Sequence, residues 1–174
     1  MRCANCGLEF QKKIESDQES CVPCKNLIDG PPQIHVSPIS SEDLELVLAW
    51  RSHPDIYKYF REQTGPLAWS EHMSWYNSRD TRRHDFLLHF EGRRVGVVGI
   101  DEENKVTVYI GDFSARNNGI ATAAIRWLKS RFPSRRPLLA EVHEENKPSR
   151  TLFQTCGFQE DTRSDGWIKY VYRS

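Results

Sequence analysis

The sequence has no apolar run approaching the ~20 residues that a membrane-spanning helix needs, and its mean hydropathy is −0.65. It has no net charge, because 24 Lys and Arg balance 24 Asp and Glu. The strong basic field of a general nucleic-acid binder is therefore missing, as is the acidic excess of a solvated tail. Internal repeats and low-complexity tracts are absent. The opening Met-Arg-Cys-Ala-Asn-Cys lacks the apolar stretch of a signal peptide, and the chain reads as cytoplasmic. No Gly-Lys-Ser/Thr follows a glycine-rich turn and no Gly-x-Gly-x-x-Gly occurs, so nucleotide hydrolysis and dinucleotide binding lose ground. Cysteine is almost absent beyond residue 24, where Cys156 stands alone. A secreted disulfide scaffold would spread its cysteines through the chain.

What the chain does have is a core. Of its 174 residues 38% are hydrophobic and 28% charged, which suits one ordinary globular domain with a small addition. The addition is residues 1–26. Cys3-Ala-Asn-Cys6 and Cys21-Val-Pro-Cys24 are two Cys-x-x-Cys pairs with 14 residues between Cys6 and Cys21. Four thiolates in paired knuckles suit tetrahedral Zn²⁺, and Gly7 permits the tight turn after the first pair. Between the pairs only Leu8, Phe10 and Ile14 are apolar anchors, too few to fold without the metal. The expectation is a structural zinc ribbon with Cys3, Cys6, Cys21 and Cys24 as ligands. It serves as a docking knob for protein or, with Lys12, Lys13 and Lys25 nearby, contacts nucleic acid.

Residues 27–33, with Asp29-Gly-Pro-Pro32, form a linker by their turn chemistry. The domain at 34–174 then opens on a short strand through Ile34 and Val36. Ser41-Glu-Asp-Leu44 starts a helix with a hydroxyl cap and acids in its first turn, and Pro54 ends it. A second short helix is predicted over 55–60 and a third over 71–77, capped by Ser70. This part is rich in aromatics, most of them core residues, with two or three lining an acceptor pocket. A meander follows: strands over 85–90, 94–101 and 105–110, separated by Glu91-Gly92 and Glu102–Asn104. A helix over 119–132 carries Ile120, Ala121, Ala124, Ile125 and Leu128 on one face. A strand at 138–143 leads to a helix capped by Asn146 and closed by Gly157. Residues 158–160 and 167–172 form a closing antiparallel pair.

At the centre lies Tyr109-Ile-Gly-Asp112 followed by Arg116-x-x-Gly119-x-Ala121. It brings small residues and free backbone N–H groups to the opening of a helix, which is how a protein holds a phosphate. About 25 residues on comes a second block with Asn146, Ser149, Gly157 and Phe158. Together the blocks resemble the GNAT N-acetyltransferase superfamily, in particular its ribosomal-protein and amino-sugar acetyltransferase branch. Arg116, Gly119 and Ala121 match its acyl-CoA signature, and the resemblance covers residues 34–174.

The resemblance implies an α/β (α+β) fold, a mixed and mostly antiparallel sheet flanked by helices, splayed between its fourth and fifth strands. Acetyl-CoA is the implied co-substrate. Its pantetheine would run along Ile110 and Gly111, and its pyrophosphate would lie on Arg116, Asn117, Asn118, Gly119, Ile120, Ala121 and Thr122, with Asn146 assisting. The implied activity is direct acetyl transfer to a primary amine of a small molecule, amino sugar or protein. Two alternatives remain open: a non-catalytic acyl-CoA-binding or zinc-ribbon interaction module, and an acyltransferase acting on a nucleic-acid-associated group. Candidate catalytic groups are Glu141 and His143 on one face of their strand, together with Tyr109; Glu144 and His53 are further candidate bases. Many members of the family carry an acidic Tyr where this chain has Phe153, so the acid is missing, unnecessary, or supplied by Tyr109 or Tyr170. Arg51 pairs either with an acidic group of the substrate or with Asp55 or Glu42.

Overall fold

The computed structural model of the protein describes residues 31–174. The four cysteines of the expected zinc ribbon and the first part of the linker lie outside the described residues. Strands β1 (His35–Pro38), β2 (His84–Phe90), β3 (Arg93–Ile100) and β4 (Val106–Ile110) pair antiparallel in sequence order. The second sheet has the order β5 (Leu138–His143), β7 (Trp167–Tyr172), β6 (Gln159–Ser164). Among the described residues the two sheets pair at one place, a parallel bridge between Lys105 and Leu139, where the Leu139 N–H donates to the Asn104 carbonyl at 2.9 Å. Beyond it β4 and β5 part. The architecture is the mixed, mainly antiparallel one expected, split between the fourth and fifth strands.

Both faces of the first sheet are covered, so neighbouring strand residues serve different cores. Leu87 and Val97 pack with Leu44 and Val47 of α1 (Leu44–Arg51) and with Ile39, while Leu88 and Val98 point the other way. On that other face lies α4 (Ile120–Arg131), whose Ile120, Ala124, Ile125 and Leu128 are no more than 2% exposed. Burying each of its large aliphatic side chains stabilises the fold by about 2 kcal/mol. Helix α5 (Lys147–Thr155) adds Phe153 to the same core, beside Cys156.

Local differences from the sequence reading have plain causes. Ser40, rather than Ser41, meets Asp43 to cap the turn before α1: the Ser40 N–H and hydroxyl both donate to Asp43 Oδ2 at 2.9 Å. Helix α2 (Pro54–Tyr57) ends earlier than expected; Pro54 sits in its first turn, where no N–H is needed. Helix α3 (Trp69–Asn77) starts earlier than expected, because the Glu71 carboxylate takes the Ala68 N–H at 2.8 Å. Strand β6 is longer than expected and exposed throughout. Its charged sequence protects a free edge rather than filling a core.

Candidate functional site

The register of β3 and β4 decides what the split offers. The Gly111 N–H donates to the Val95 carbonyl at 2.9 Å, and Tyr109 stands opposite Val97. In an antiparallel ladder alternate residues bond to the same neighbour. The N–H and C=O groups of Val108 and Ile110 therefore point away from β3, towards the open edge that faces β5. This edge is unpaired backbone in the mouth of the split. The Ile110 carbonyl there also accepts from Arg116 Nε and one terminal nitrogen, both at 3.3 Å.

Gly111 sits differently from the sequence expectation. Its N–H is already used, and a Cβ at this position would lie 2.1 Å from the Trp50 ring. The missing side chain lets β4 approach α1.

The turn that follows is held by its own side chains. Asp112 accepts from the Ser114 N–H at 3.0 Å and pairs with Arg93 at 2.8 Å. The Arg116 guanidinium lies 3.7 Å from the Phe113 ring centroid, and Asn118 Nδ2 donates to the Ala115 carbonyl at 2.8 Å. Asn117 and Gly119 adopt positive φ values, 62° and 76°. The first helical bond runs from the Ala123 N–H to the Gly119 carbonyl. Among the described residues, the N–H groups from Asn117 to Thr122 meet no protein acceptor. Side chains have occupied the carbonyls and left the donors free, a cradle suited to a pyrophosphate at a helix N-terminus. Across the split, Asn146 caps α5 by accepting from the Ser149 N–H at 3.2 Å.

On the opposite side of the split, the loop after α2 reaches from the first sheet to the second. Arg61 pairs with Glu141 at 3.2 Å and lies over Trp167 at 5.9 Å, and Tyr59 approaches His143, with ring centroids 6.1 Å apart. Lys105 grips the same Glu141 at 3.0 Å. Burial works to raise the Glu141 carboxyl, but the bonds and charges of Lys105 and Arg61 outweigh it and hold it below its ordinary value. Neither cation was expected. They stand 36 and 80 residues from Glu141, so no local pattern points to them.

The other candidates are also engaged. His143 Nδ1 accepts from the Glu145 N–H at 3.3 Å, so in the neutral ring the proton sits on Nε2 and no lone pair is left over. Tyr109 is half-buried as a residue. Crowding around its hydroxyl pushes the phenol well above its ordinary value, against the pull of the Arg51 charge. It therefore stays protonated and is a poor acid towards a thiolate. Its ring meets Phe60 at 5.8 Å. His53 caps α2, accepting from the Asp55 N–H at 3.2 Å, and its ring rests on Phe113. It borders an open groove of about 540 Å³ between α1 and the residues Gly111–Ser114, which includes no residue of β5. Glu144 is exposed, and its N–H donates to the Gly166 carbonyl at 2.8 Å. Tyr170 is fully buried on the α4–α5 side, where its hydroxyl has no partner and its ring stacks on Phe153. Burial raises the Cys156 thiol, which makes it inert packing. Arg51 pairs with neither Asp55 nor Glu42; it donates to Gln63 Oε1 at 3.0 Å.

Residues 33–159 match the family described as the acetyltransferase (GNAT) domain. An uncharacterised protein of Methanocaldococcus jannaschii is 34% identical over 161 aligned residues, covering 85% of this chain and 33% of that protein. The chain thus spans about a third of the length of this curated relative. The crystal structure of a domain from the same organism superimposes with a TM-score of 0.76 at 30% identity, over 82% of this chain and 99% of that one. The spermidine N-acetyltransferase of Vibrio cholerae, solved with CoA and spermine, shares the fold at a TM-score of 0.67 and 18% identity, over 80% of this chain and 93% of that one. Among the described residues, no helix is long and apolar enough to cross a membrane, and no group of His, Cys, Asp and Glu is arranged to hold a metal ion.

Proposed function

The chain belongs to the GNAT acetyltransferase family, and from that premise we propose that it is an acetyl-CoA-dependent N-acetyltransferase acting directly on a primary amine. The observation that carries this reading is the open edge of β4 running straight into the cradle of free N–H groups at Asn117–Thr122. Acetyl-CoA, when bound, supplies an activated acetyl thioester that an amine converts to an amide, with release of the free thiol. In this reading Val108 pairs with the pantetheine arm through its edge N–H and C=O groups. The N–H groups of Asn117, Asn118, Gly119, Ile120, Ala121 and Thr122 hold the pyrophosphate, Arg116 braces their turn, and Asn146 closes the far side. The Ile110 N–H steadies the oxygen on which charge develops.

The amine arrives as an ammonium and must lose a proton before its nitrogen forms the new N–C bond and the C–S bond breaks. Glu141 is held as a carboxylate by two cations, which lowers its basicity, and His143 has no spare lone pair. Proton removal through water that reaches the split between them fits these side chains better than either acting alone. The departing thiolate, with an ordinary pKa of about 8.5, needs no side-chain acid. Phe153 therefore does not exclude turnover.

The test is release of free thiol from acetyl-CoA with a panel of primary amines, alongside calorimetric binding of CoA. Binding and amine-dependent release are the expected result, and absence of CoA binding would overturn the site. A second reading, an acyl-CoA-binding module without turnover, is favoured by the engagement of the Glu141, His143 and His53 side chains; CoA binding without thiol release would select it.

The chain divides in this reading into 1–26, 27–33 and 34–174; the start of the family match at residue 33 supports the beginning of the last segment. The spacing of Cys3, Cys6, Cys21 and Cys24 supports a structural Zn²⁺ in the first segment, as a contact point for protein or nucleic acid. One zinc per chain by elemental analysis, lost on Cys3→Ser with Cys21→Ser, is the expected measurement; a metal-free chain would dismiss it.

A further inference from the structure

The acceptor side of the first sheet holds a buried charge imbalance that the proposed reaction leaves unexplained. Trp75 of α3 is ringed by cations: the guanidinium groups of Arg79 and Arg83 lie 5.5 Å from its ring and that of Arg51 5.9 Å, while His72 stacks on it at 5.2 Å. The acid within this group is Asp85, 7% exposed and seated over Gly99, where a Cβ would come within 2.6 Å of its carboxylate. Asp85 is fully committed. Arg83 binds it with two nitrogens, at 2.9 and 3.2 Å, and Arg79 adds a third contact at 3.5 Å.

Arg51 is left with Gln63 Oε1 as its side-chain acceptor, and its Nε is buried without any partner. Both ring nitrogens of His72 are buried too, with only a loose contact to the Leu44 backbone. A partly buried guanidinium that forms no ion pair is costly, because its desolvation is poorly compensated. Stacking on Phe60, 5.0 Å away, offsets a part of this. Phe60 in turn meets Tyr109, the residue before Ile110 on the open edge. Arg51 thus lies behind Phe60 on the side of the split opposite the cradle. On this side Arg79 and Arg83 pair with Asp85, and Arg61 and Lys105 with Glu141, whereas Arg51 has no ion pair among the described residues.

We propose that the acceptor is a small primary amine that also carries an anionic group, a carboxylate or a phosphate, and that Arg51 binds this group. The assignment rests on the N-acetyltransferase reading and narrows it. Arg51 acts as a specificity-determining residue: the anion fills its vacant hydrogen-bonding capacity and holds the amine near Ile110.

The experiment uses acceptor pairs matched except for charge: β-alanine with its methyl ester, and glucosamine 6-phosphate with glucosamine. The two arms distinguish carboxylate from phosphate. The full chain should prefer the charged member of at least one pair by about tenfold or more in kcat/KM, the worth of a charge-assisted hydrogen bond. Arg51→Gln should raise KM for that member by a similar factor, leave kcat within about threefold, and leave CoA affinity and the uncharged member unchanged. Arg51→Lys should restore a part of the preference, which a merely structural role would not. If Arg51→Gln does not fold, the wild-type pairs and the lysine variant decide. Equal turnover of charged and uncharged members, or a preference untouched by substitution, overturns the inference. Should no amine release thiol, the acetyltransferase reading fails separately. Saturation-transfer NMR with β-alanine and glucosamine 6-phosphate then judges Arg51 alone: binding lost in the variant upholds the anion site, and no binding of either probe to the wild type dismisses it.

Discussion

The two sides of the split are built by different means. The donor side, β4 and the turn into α4, is local: Asp112, Arg116 and Asn118 satisfy groups within six residues of themselves, and the result is a row of free N–H donors. The acceptor side is assembled from distant pieces. Arg61, Lys105 and Glu141 meet there from three parts of the chain, and so do Arg51, Trp75 and Asp85. A local backbone site is general for its ligand and hard to alter without breaking it. A site assembled from distant side chains is easily retuned, which suits the half that selects a substrate.

The largest expected effect tests the donor side alone. Gly119→Glu places a side chain and a negative charge in the cradle, at a φ of 76° where non-glycine residues are strained by roughly 1–2 kcal/mol. Calorimetry should show CoA affinity falling by about a hundredfold or more, equivalent to some 2.7 kcal/mol, while circular dichroism stays native. Retained affinity would separate the cradle from the cofactor and undo the comparison.

Gly111→Ala strikes the seam between the two sides. Its Cβ would collide with Trp50, so α1 and β4 must part, at a cost of about 1–3 kcal/mol from overpacking. Thermal melting should fall by several degrees, with CoA binding and turnover weakened together. A loss confined to one of them would show that Gly111 belongs to that side only.

Glu141→Gln sharpens the acceptor side. It releases both Arg61 and Lys105, and the amine KM should rise several-fold while CoA affinity stays put. Stability should respond with a definite sign. The folded Glu141 carboxyl titrates below its unfolded value of about 4.3, so its contribution is present above that value and lost as pH falls through the folded one. Acid denaturation of the variant should therefore be less steep in that window.

The smallest effect concerns His72. Burial, and then the Arg51 charge, hold it below its ordinary value, outweighing a backbone contact that raises it. Below its unfolded value of about 6.5 the unfolded chain takes up a proton that the folded chain refuses, so stability declines as pH falls from there. His89, lowered mainly by burial, acts in the same direction. The melting temperature of His72→Phe should drop less between pH 7.5 and 5.5 than that of the wild type. An equal drop in both would remove His72 from the account of the acceptor side.

Much of the fold could be read from one chain because its cues are short-range. Glu91-Gly92 marks the β2–β3 hairpin, where both residues take positive φ, and Asn146 with Pro148 marks the start of α5. Caps were read one or two residues off at Ser40 and Ala68, since each depends on which of several neighbouring groups wins the bond. The cradle residues could be read for the same reason as the hairpin: a phosphate turn needs small residues and free N–H groups in immediate succession. Tyr109, Glu141 and His143 could be singled out by position and alternation, but not their state.

The sequence by itself determined the order of strands and helices, the covered and open faces of each, and the small-residue turn with free N–H groups before α4, because these follow from periodicity, turn chemistry and helix termini over a few residues. Only the tertiary structure decided that Gly111 makes room for Trp50, that Glu141 is clamped by two cations, and that Arg51 is half-buried with Gln63 rather than an acid as its side-chain acceptor. Those facts depend on side chains brought together from separate parts of the chain. Burial removes the water that would otherwise satisfy them, so their energies are set by neighbours that no local pattern specifies.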